Sequence, residues 1–279
     1  MRKTKRVQRI KMQPQFFPVQ EENEIVEADH HMLITKVVPQ EQIPLVGADG
    51  AVLEGLFEVI PEYKIYKLFL NEFSDMTKHG INRILHTLQE SGPNDFLEMH
   101  IAGPGGFVSE GLSFYNIISS IFRDRSAAYL NYGYSMNALS FLYCSERIVY
   151  EDSDLMFHNY SGGAYGKGGE MVEQVVHTQK RFQRFFRKLI APYMTEEEIN
   201  RMFDGKDFWF DSVEMLNRGI ATGIILDGEY FTRDQYFEKH TKTGEVKKSW
   251  IKKQEKAKKK AEKIAKKAIK EMEEEDAHS

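Results

Sequence analysis

The sequence predicts an α/β domain whose parallel strands are joined by crossover helices, on three observations. Strand-like and helix-like stretches alternate from residue 63 to residue 226. Two switches from strand to helix carry glycine, at "GPGG" (103–106) and at "GYSM" (133–136). At 41% hydrophobic and 12% aromatic, the 279 residues hold ample material for a buried core. In such sheets ligand sites lie where strands end and helices begin, and both glycine segments occupy that kind of position.

Residues 1–60 show no sustained period and are punctuated by Pro14, Pro18, Pro39 and Pro44, with Pro61 just beyond, so they read as an irregular N-terminal extension with short strands at most. Tyr63 to Leu70 is strand-like. Ser74 can cap a helix whose Ile81, Ile84, Leu85 and Leu88 share one face before Gly92 and Pro93 stop it. Phe96 to Ala102 alternates, with Leu97, Met99 and Ile101 on one side. After GPGG, Val108, Leu112, Tyr115, Ile118 and Phe122 recur at helical spacing. Ala127 to Gly133 and part of Ile148 to His158 read as strands. Gly169 to Tyr193 is a long helix bearing Phe182, Phe185, Phe186 and Leu189, and Thr195 with Glu198 makes a capping box for the next one. These readings divide the chain into an extension (1–60), an α/β domain (61–230) and a linker with a charged helical tail (231–279).

Net charge is −4, but it is unevenly spread: Lys252 to Lys270 holds ten lysines against Glu255 and Glu262, and an acidic run follows. The tail's helix formers leave a thin stripe of Ala257, Ala261, Ile264, Ala268 and Met272. It reads as a solvated or self-associating helix, with nucleic-acid or partner binding by its lysine face as the alternative. The basic N-terminus is followed by no apolar run of signal-peptide length, and no stretch approaches the ~20 apolar residues that span a bilayer, so the chain reads as soluble, unexported and cytoplasmic. The lone Cys144 cannot form an internal disulfide. Its apolar surroundings suit packing better than nucleophilic chemistry.

GPGGFVSEG has neither the GKS/GKT of a P-loop nor the third glycine of a dinucleotide fingerprint, and "SGGAYGKGG" (161–169) departs from a Walker pattern at Ser161 and Gly168. No cofactor is implied. The nine histidines are scattered, and His30 with His31 reads as polar surface, so no metal is implied either. Nucleophilic catalysis fits better. A serine opening a helix, as Ser135 would, sits where free N–H groups favour an anion, so the N–H of Met136 could face a developing oxyanion with Gly105 and Gly106 opposite. Serine needs a base oriented by a third group, and His158 and Asp207 can fill those roles. Each residue alone has a structural explanation; order and spacing join them.

These motifs resemble those of the Clp protease proteolytic subunit, ClpP, over roughly residues 63–227. The likeness rests on "IAGPGGFVSEGLSFYNII", "GYSMNALSFL", "LMFHNYSGGAYGKGGE" and "GKDFWFDSVEMLNRGI", with 23 positions from Ser135 to His158 and 49 from there to Asp207. The resemblance implies a ClpP/crotonase-like spiral of ββα units, with Gly169–Tyr193 as the "handle" helix between stacked heptameric rings. It implies Ser135 as nucleophile, His158 as base, Asp207 as orienting acid, and Gly106 and Met136 as oxyanion donors. Peptide would bind as an added strand between Gly105, Phe107 and Val108 on one side and Gly162, Gly163, Ala164, Tyr165 and Gly166 on the other.

The sequence departs from the family at Gly103, where a serine is usual, at Gly133 and Tyr134, where small residues precede the nucleophile, and at Asn159, where a glutamine follows the histidine. The implied partners are polypeptide substrates, further copies of the chain, and either an AAA+ unfoldase or, as in the similar proteases of tailed bacterial viruses, scaffold and capsid proteins of the prohead. Two alternatives remain open at this point: a catalytically silent assembly subunit, and a crotonase-type acyl-CoA enzyme.

Overall fold

The computed structural model describes residues 24–28, 31–46, 52–73 and 81–240. In chain order the strands begin with β1 (Glu24–Ala28), β2 (His31–Val38), β3 (Glu41–Val46), β4 (Val52–Ile60) and β5 (Tyr63–Phe73). The helix α1 (Asn82–Gln89) leads to β6 (Phe96–Gly106), α2 (Val108–Ile121), β7 (Ser126–Tyr134), α3 (Met136–Phe141) and β8 (Glu146–Phe157). Then come α4 (Gly168–Ile190), α5 (Glu196–Phe203), β9 (Phe208–Asp211), α6 (Ser212–Arg218), β10 (Gly223–Leu226), β11 (Glu229–Thr232) and α7 (Arg233–His240).

The expected α/β class is what the structure has. A central sheet runs β1-β2-β5-β6-β7-β8-β10-β11, with β9 paired to β8, and β3 with β4 forms a separate hairpin. The run β5, β6, β7, β8, β10 is parallel, as helical crossovers require. Its inward residues alternate strictly: Tyr66, Leu68 and Leu70 on β5 match Leu97, Met99 and Ile101 on β6, all 2% exposed or less. Ile84, Leu85 and Leu88 of α1 fall on one helical face, and they join this core together with Leu112, Phe114 and Ile118 of α2.

Two regions differ from the sequence reading. The stretch expected to be irregular contributes β2, which pairs antiparallel with β5 along its whole length and buries Leu33 completely. Its inward residues are His31, Leu33 and Thr35, so polar side chains hide the alternation. At the other end, Asp227 and Gly228, both at positive φ, turn β10 back into β11. Ser74, His30 and the lysine-rich tail lie outside the described residues.

On α4, Phe182, Phe185, Phe186 and Ile190 are buried within the chain, so these phenylalanines are core. Its first turns project instead, leaving Val172, Val175 and Val176 exposed. No helix among the described residues is long and apolar enough to cross a membrane.

One irregularity crosses the sheet and prepares the site. The β5–β6 register runs to Leu70↔Ile101 and resumes at Glu72↔Gly105, so Ala102, Gly103 and Pro104 all stand against Asn71. At the same level Asn131 is left over between β6 and β7, and Tyr150 to Ser153 bulge out of β8. The Ser153 hydroxyl closes that bulge, accepting from the Tyr150 N–H at 2.8 Å and donating to Leu130 O. Such bulges re-aim strand ends, and here they do so on three adjacent strands.

Candidate active site

Beyond the crease, β7 pairs with β8 up to Tyr134↔Met156, and the chain then turns sharply into α3. Ser135 sits at that turn with φ 56° and ψ −120°, one of only two non-glycine residues at positive φ among the described residues. A β-carbon is strained there, at a cost of about 1–3 kcal/mol, and such strain persists only where surrounding structure imposes it. The Ser135 N–H is held by Met156 O at 3.0 Å. Its side chain makes no capping bond to α3, so the hydroxyl is not used as a helix cap. Strand, strained serine, helix is the geometry of a nucleophile elbow.

The register brings the other two sequence-predicted residues to the same sheet end. β8 and β9 pair antiparallel from Asp154↔Asp211 to Phe157↔Phe208, so the next position in that register is His158 facing Asp207. His158 is half-buried and Asp207 exposed. The His158 Nε2 is buried without a hydrogen-bond partner. Among the described residues no hydrogen bond joins Ser135, His158 and Asp207; the three stand at neighbouring strand ends with their side chains unlinked.

Gly105 and Gly106 adopt φ 111° and 127°, a region open to glycine. A β-carbon on Gly105 would lie 2.7 Å from Ser135 Cβ and 2.8 Å from Met136 N. A side chain there would therefore cover the elbow. Phe107 N–H donates to Phe73 O at 2.8 Å, which leaves the Gly106 N–H turned away from β5 by ladder alternation. Met136 opens α3, so its N–H belongs to the first turn, where helical N–H groups lack intrahelical partners. Its side chain is fixed against Tyr143, whose hydroxyl approaches Met136 Sδ at 3.6 Å.

The structure treats the expected peptide-binding residues unequally. Phe107 is the N-cap of α2 and 60% exposed, and Val108 is the first residue of that helix. Gly162, Gly163, Ala164, Tyr165 and Gly166 form a strip outside any ladder, with Tyr165 fully exposed. Cys144 is buried, and burial pushes its thiol up to about 12, which removes it as a nucleophile near neutral pH.

A model of the Clp protease family matches residues 63–227, which includes the elbow, the glycine bulge and both partner strands. The chain belongs to the Clp protease family. It is 26% identical over 143 residues to the ATP-dependent Clp protease proteolytic subunit 3 of Streptomyces avermitilis. It is 25% identical over 143 residues to the ATP-dependent Clp protease proteolytic subunit 1 of Streptomyces coelicolor. Each match covers 50% of this chain and 64% of the relative, so the chain spans under two thirds of the length of the curated relatives it matches.

The departures from the family's motifs have local physical reasons. A β-carbon on Gly103 would fall inside the Asn71 carbonyl and 2.7 Å from Asn137 Nδ2, so no serine fits in this bulge. Asn159 donates to Phe203 O at 3.0 Å and ties the segment after the histidine to the end of α5. The Tyr134 hydroxyl donates to Asp154 at 3.1 Å, and its ring packs edge-on against Trp209 at 5.2 Å. Trp209 is 56% exposed, so an aromatic wall stands beside the elbow. Sequence reasoning missed Trp209, Asn71 and Asn137; the visible signal for Asn137 was a lone amide inside the apolar run MNALSFLYC.

Proposed function

We propose that this chain is a serine endopeptidase acting through an acyl-enzyme. Ser135 attacks the peptide carbonyl, His158 takes the hydroxyl proton and returns it to the leaving amine, and Asp207 orients the imidazole. The N–H groups of Gly106 and Met136 stabilise the oxyanion. Water, deprotonated by His158, then releases the acyl group. The observation that carries the reading is Ser135 itself: a strained, uncapped serine between strand and helix, with a side-chain-free glycine against it. A silent assembly subunit has no use for that strain, and an acyl-CoA enzyme has no use for the serine.

The peptide would lie as an added strand along residues 162–166, whose main chain belongs to no ladder, with Phe107 and Val108 offering side chains on the opposite edge. The unlinked side chains suit a site that aligns on assembly into a homo-oligomeric chamber. The exposed Val172, Val175 and Val176 of α4 are the surface available to a second copy. An AAA+ unfoldase, or scaffold and capsid proteins, would supply the polypeptide.

The test is labelling of the assembled protein with a fluorophosphonate, followed by mapping of the modified peptide by mass spectrometry, with Ser135→Ala and His158→Ala in parallel. Modification at Ser135 that is lost in both variants is the expected result; losing one member of such a set costs up to about 10⁶-fold. No labelling of the assembled wild type would leave the silent assembly subunit as the better reading.

A further inference from the structure

The residue after the Met136 donor is a fully buried asparagine. Asn137 Nδ2 donates to Asn71 O at 2.6 Å, while its Oδ1 is buried with no partner. A buried amide with one end unpaired costs about 1–3 kcal/mol, and an apolar residue of similar size would avoid that cost. The side chain therefore has a purpose that core packing does not supply. Its acceptor indicates which: Asn71 is the single β5 residue against which Ala102, Gly103 and Pro104 bulge out. Gly103 passes so close that a β-carbon would approach Asn137 Nδ2 to 2.7 Å. One short side chain thus binds the start of α3 to the strand over which the glycine bulge is folded.

We propose that Asn137 is the positioning residue that keeps the two oxyanion donors in register, Met136 on α3 and Gly106 at the end of the bulge. The inference rests on the peptidase reading above. Neither donor is adjustable by its own side chain, since one is a main-chain N–H of a helix start and the other belongs to glycine. Their separation is set by how α3 sits on β5, and a shift of about 1 Å in such an arrangement costs on the order of 10²-fold in rate. Asn137 has two side-chain torsions and no slack, so it transmits the position of Asn71 to Met136 directly.

The test uses the assembled full chain and fluorophosphonate inactivation resolved into its maximal rate and its half-saturation concentration. Asn137→Ala should lower the maximal rate about 10²-fold with half-saturation within about threefold and the fold retained by circular dichroism. Asn137→Asp adds a readout that a purely structural residue would not move. Its carboxyl has the shape of the amide but donates only when protonated, so its rate relative to wild type should recover as pH is lowered, while the Asn137→Ala ratio stays flat. Unchanged rates in both variants, a flat ratio for Asn137→Asp, or loss of folding in both would overturn the assignment. Absence of labelling in wild type would instead sink the peptidase reading, and this inference with it.

Discussion

Two glycine-rich segments flank the elbow, alike in composition and opposite in physics. In 103–106 each glycine is there because something occupies the space of a side chain: the Asn71 carbonyl at Gly103, Ser135 and Met136 at Gly105, Phe73 at Gly106. In 161–169, Gly163, Gly168 and Gly169 have nothing within 4 Å of a would-be β-carbon, and Tyr165 is wholly exposed. The first segment is built into the sheet through the pairing of Gly105 and Gly106 with β5, so its N–H groups are set before any ligand arrives. The second is held only at its ends, by the Asn159 bond to α5 and by Lys167 N–H donating to Glu170 at 3.4 Å. Glycine thus serves close approach in one case and chain freedom in the other, and main-chain N–H groups fixed in advance belong to the first alone.

The sharpest way to break that contrast is Gly105→Ala. A methyl group at φ 111°, within 3 Å of the elbow backbone, must displace either β6 or α3. On the peptidase reading we expect fluorophosphonate labelling of Ser135 to fall by about 10³-fold or more, as displacement of the Met136 N–H and displacement of Ser135 combine. Labelling within tenfold of wild type would mean that the bulge is softer than its packing indicates.

A smaller effect is expected behind the strip. Glu198 on α5 accepts from both terminal nitrogens of Arg218 at 2.9 Å, and Arg218 also meets Glu214 at 2.6 Å. Burial alone would raise the Glu198 pKa, but the Arg218 bonds, with those to Thr195, outweigh it and hold the carboxyl below its usual range. A folded pKa below the unfolded one means a contribution that is full above about pH 4.5 and lost as pH falls through the folded value. Glu198→Gln should therefore lower the melting temperature by about 2–4 °C at pH 7, corresponding to about 1 kcal/mol, and by progressively less below pH 4. A melting temperature that does not change with this substitution at pH 7 would remove the ion pair as the anchor of α5.

What could be read in advance follows the same division. The strand-to-helix switches are legible because glycine marks them, and the β9 strand because FWFD is aromatic between polar ends. The serine, histidine and acid are legible only as an ordered set; that His158 and Asp207 stand directly beyond the last β8–β9 pair, Phe157↔Phe208, is a property of register, which no local pattern encodes. β2 is hidden because His31 and Thr35 take inward positions. Asn71 is invisible for a deeper reason: its role depends on three residues of β6 bulging past it and on a side chain 66 positions away. Local chemistry shows through the sequence, and long-range accommodation does not.

The smallest predicted effect tests the open segment directly. Gly163→Ala meets no neighbour, and its φ lies outside the region reserved for glycine, so neither fold nor chemistry should suffer. If residues 162–166 become ordered against a bound peptide, the glycine surrenders conformational freedom on binding, and alanine has less to surrender. A glycine-to-alanine change at a compatible site is worth about 0.4–1 kcal/mol through this term. With a fluorogenic peptide cleaved by the assembled protein, KM should fall about two- to fivefold while kcat stays within about twofold. A fall in kcat with unchanged KM would mean that the strip takes part in the chemistry already in the free enzyme. The distinction between a built segment and a waiting one would then fail at this residue.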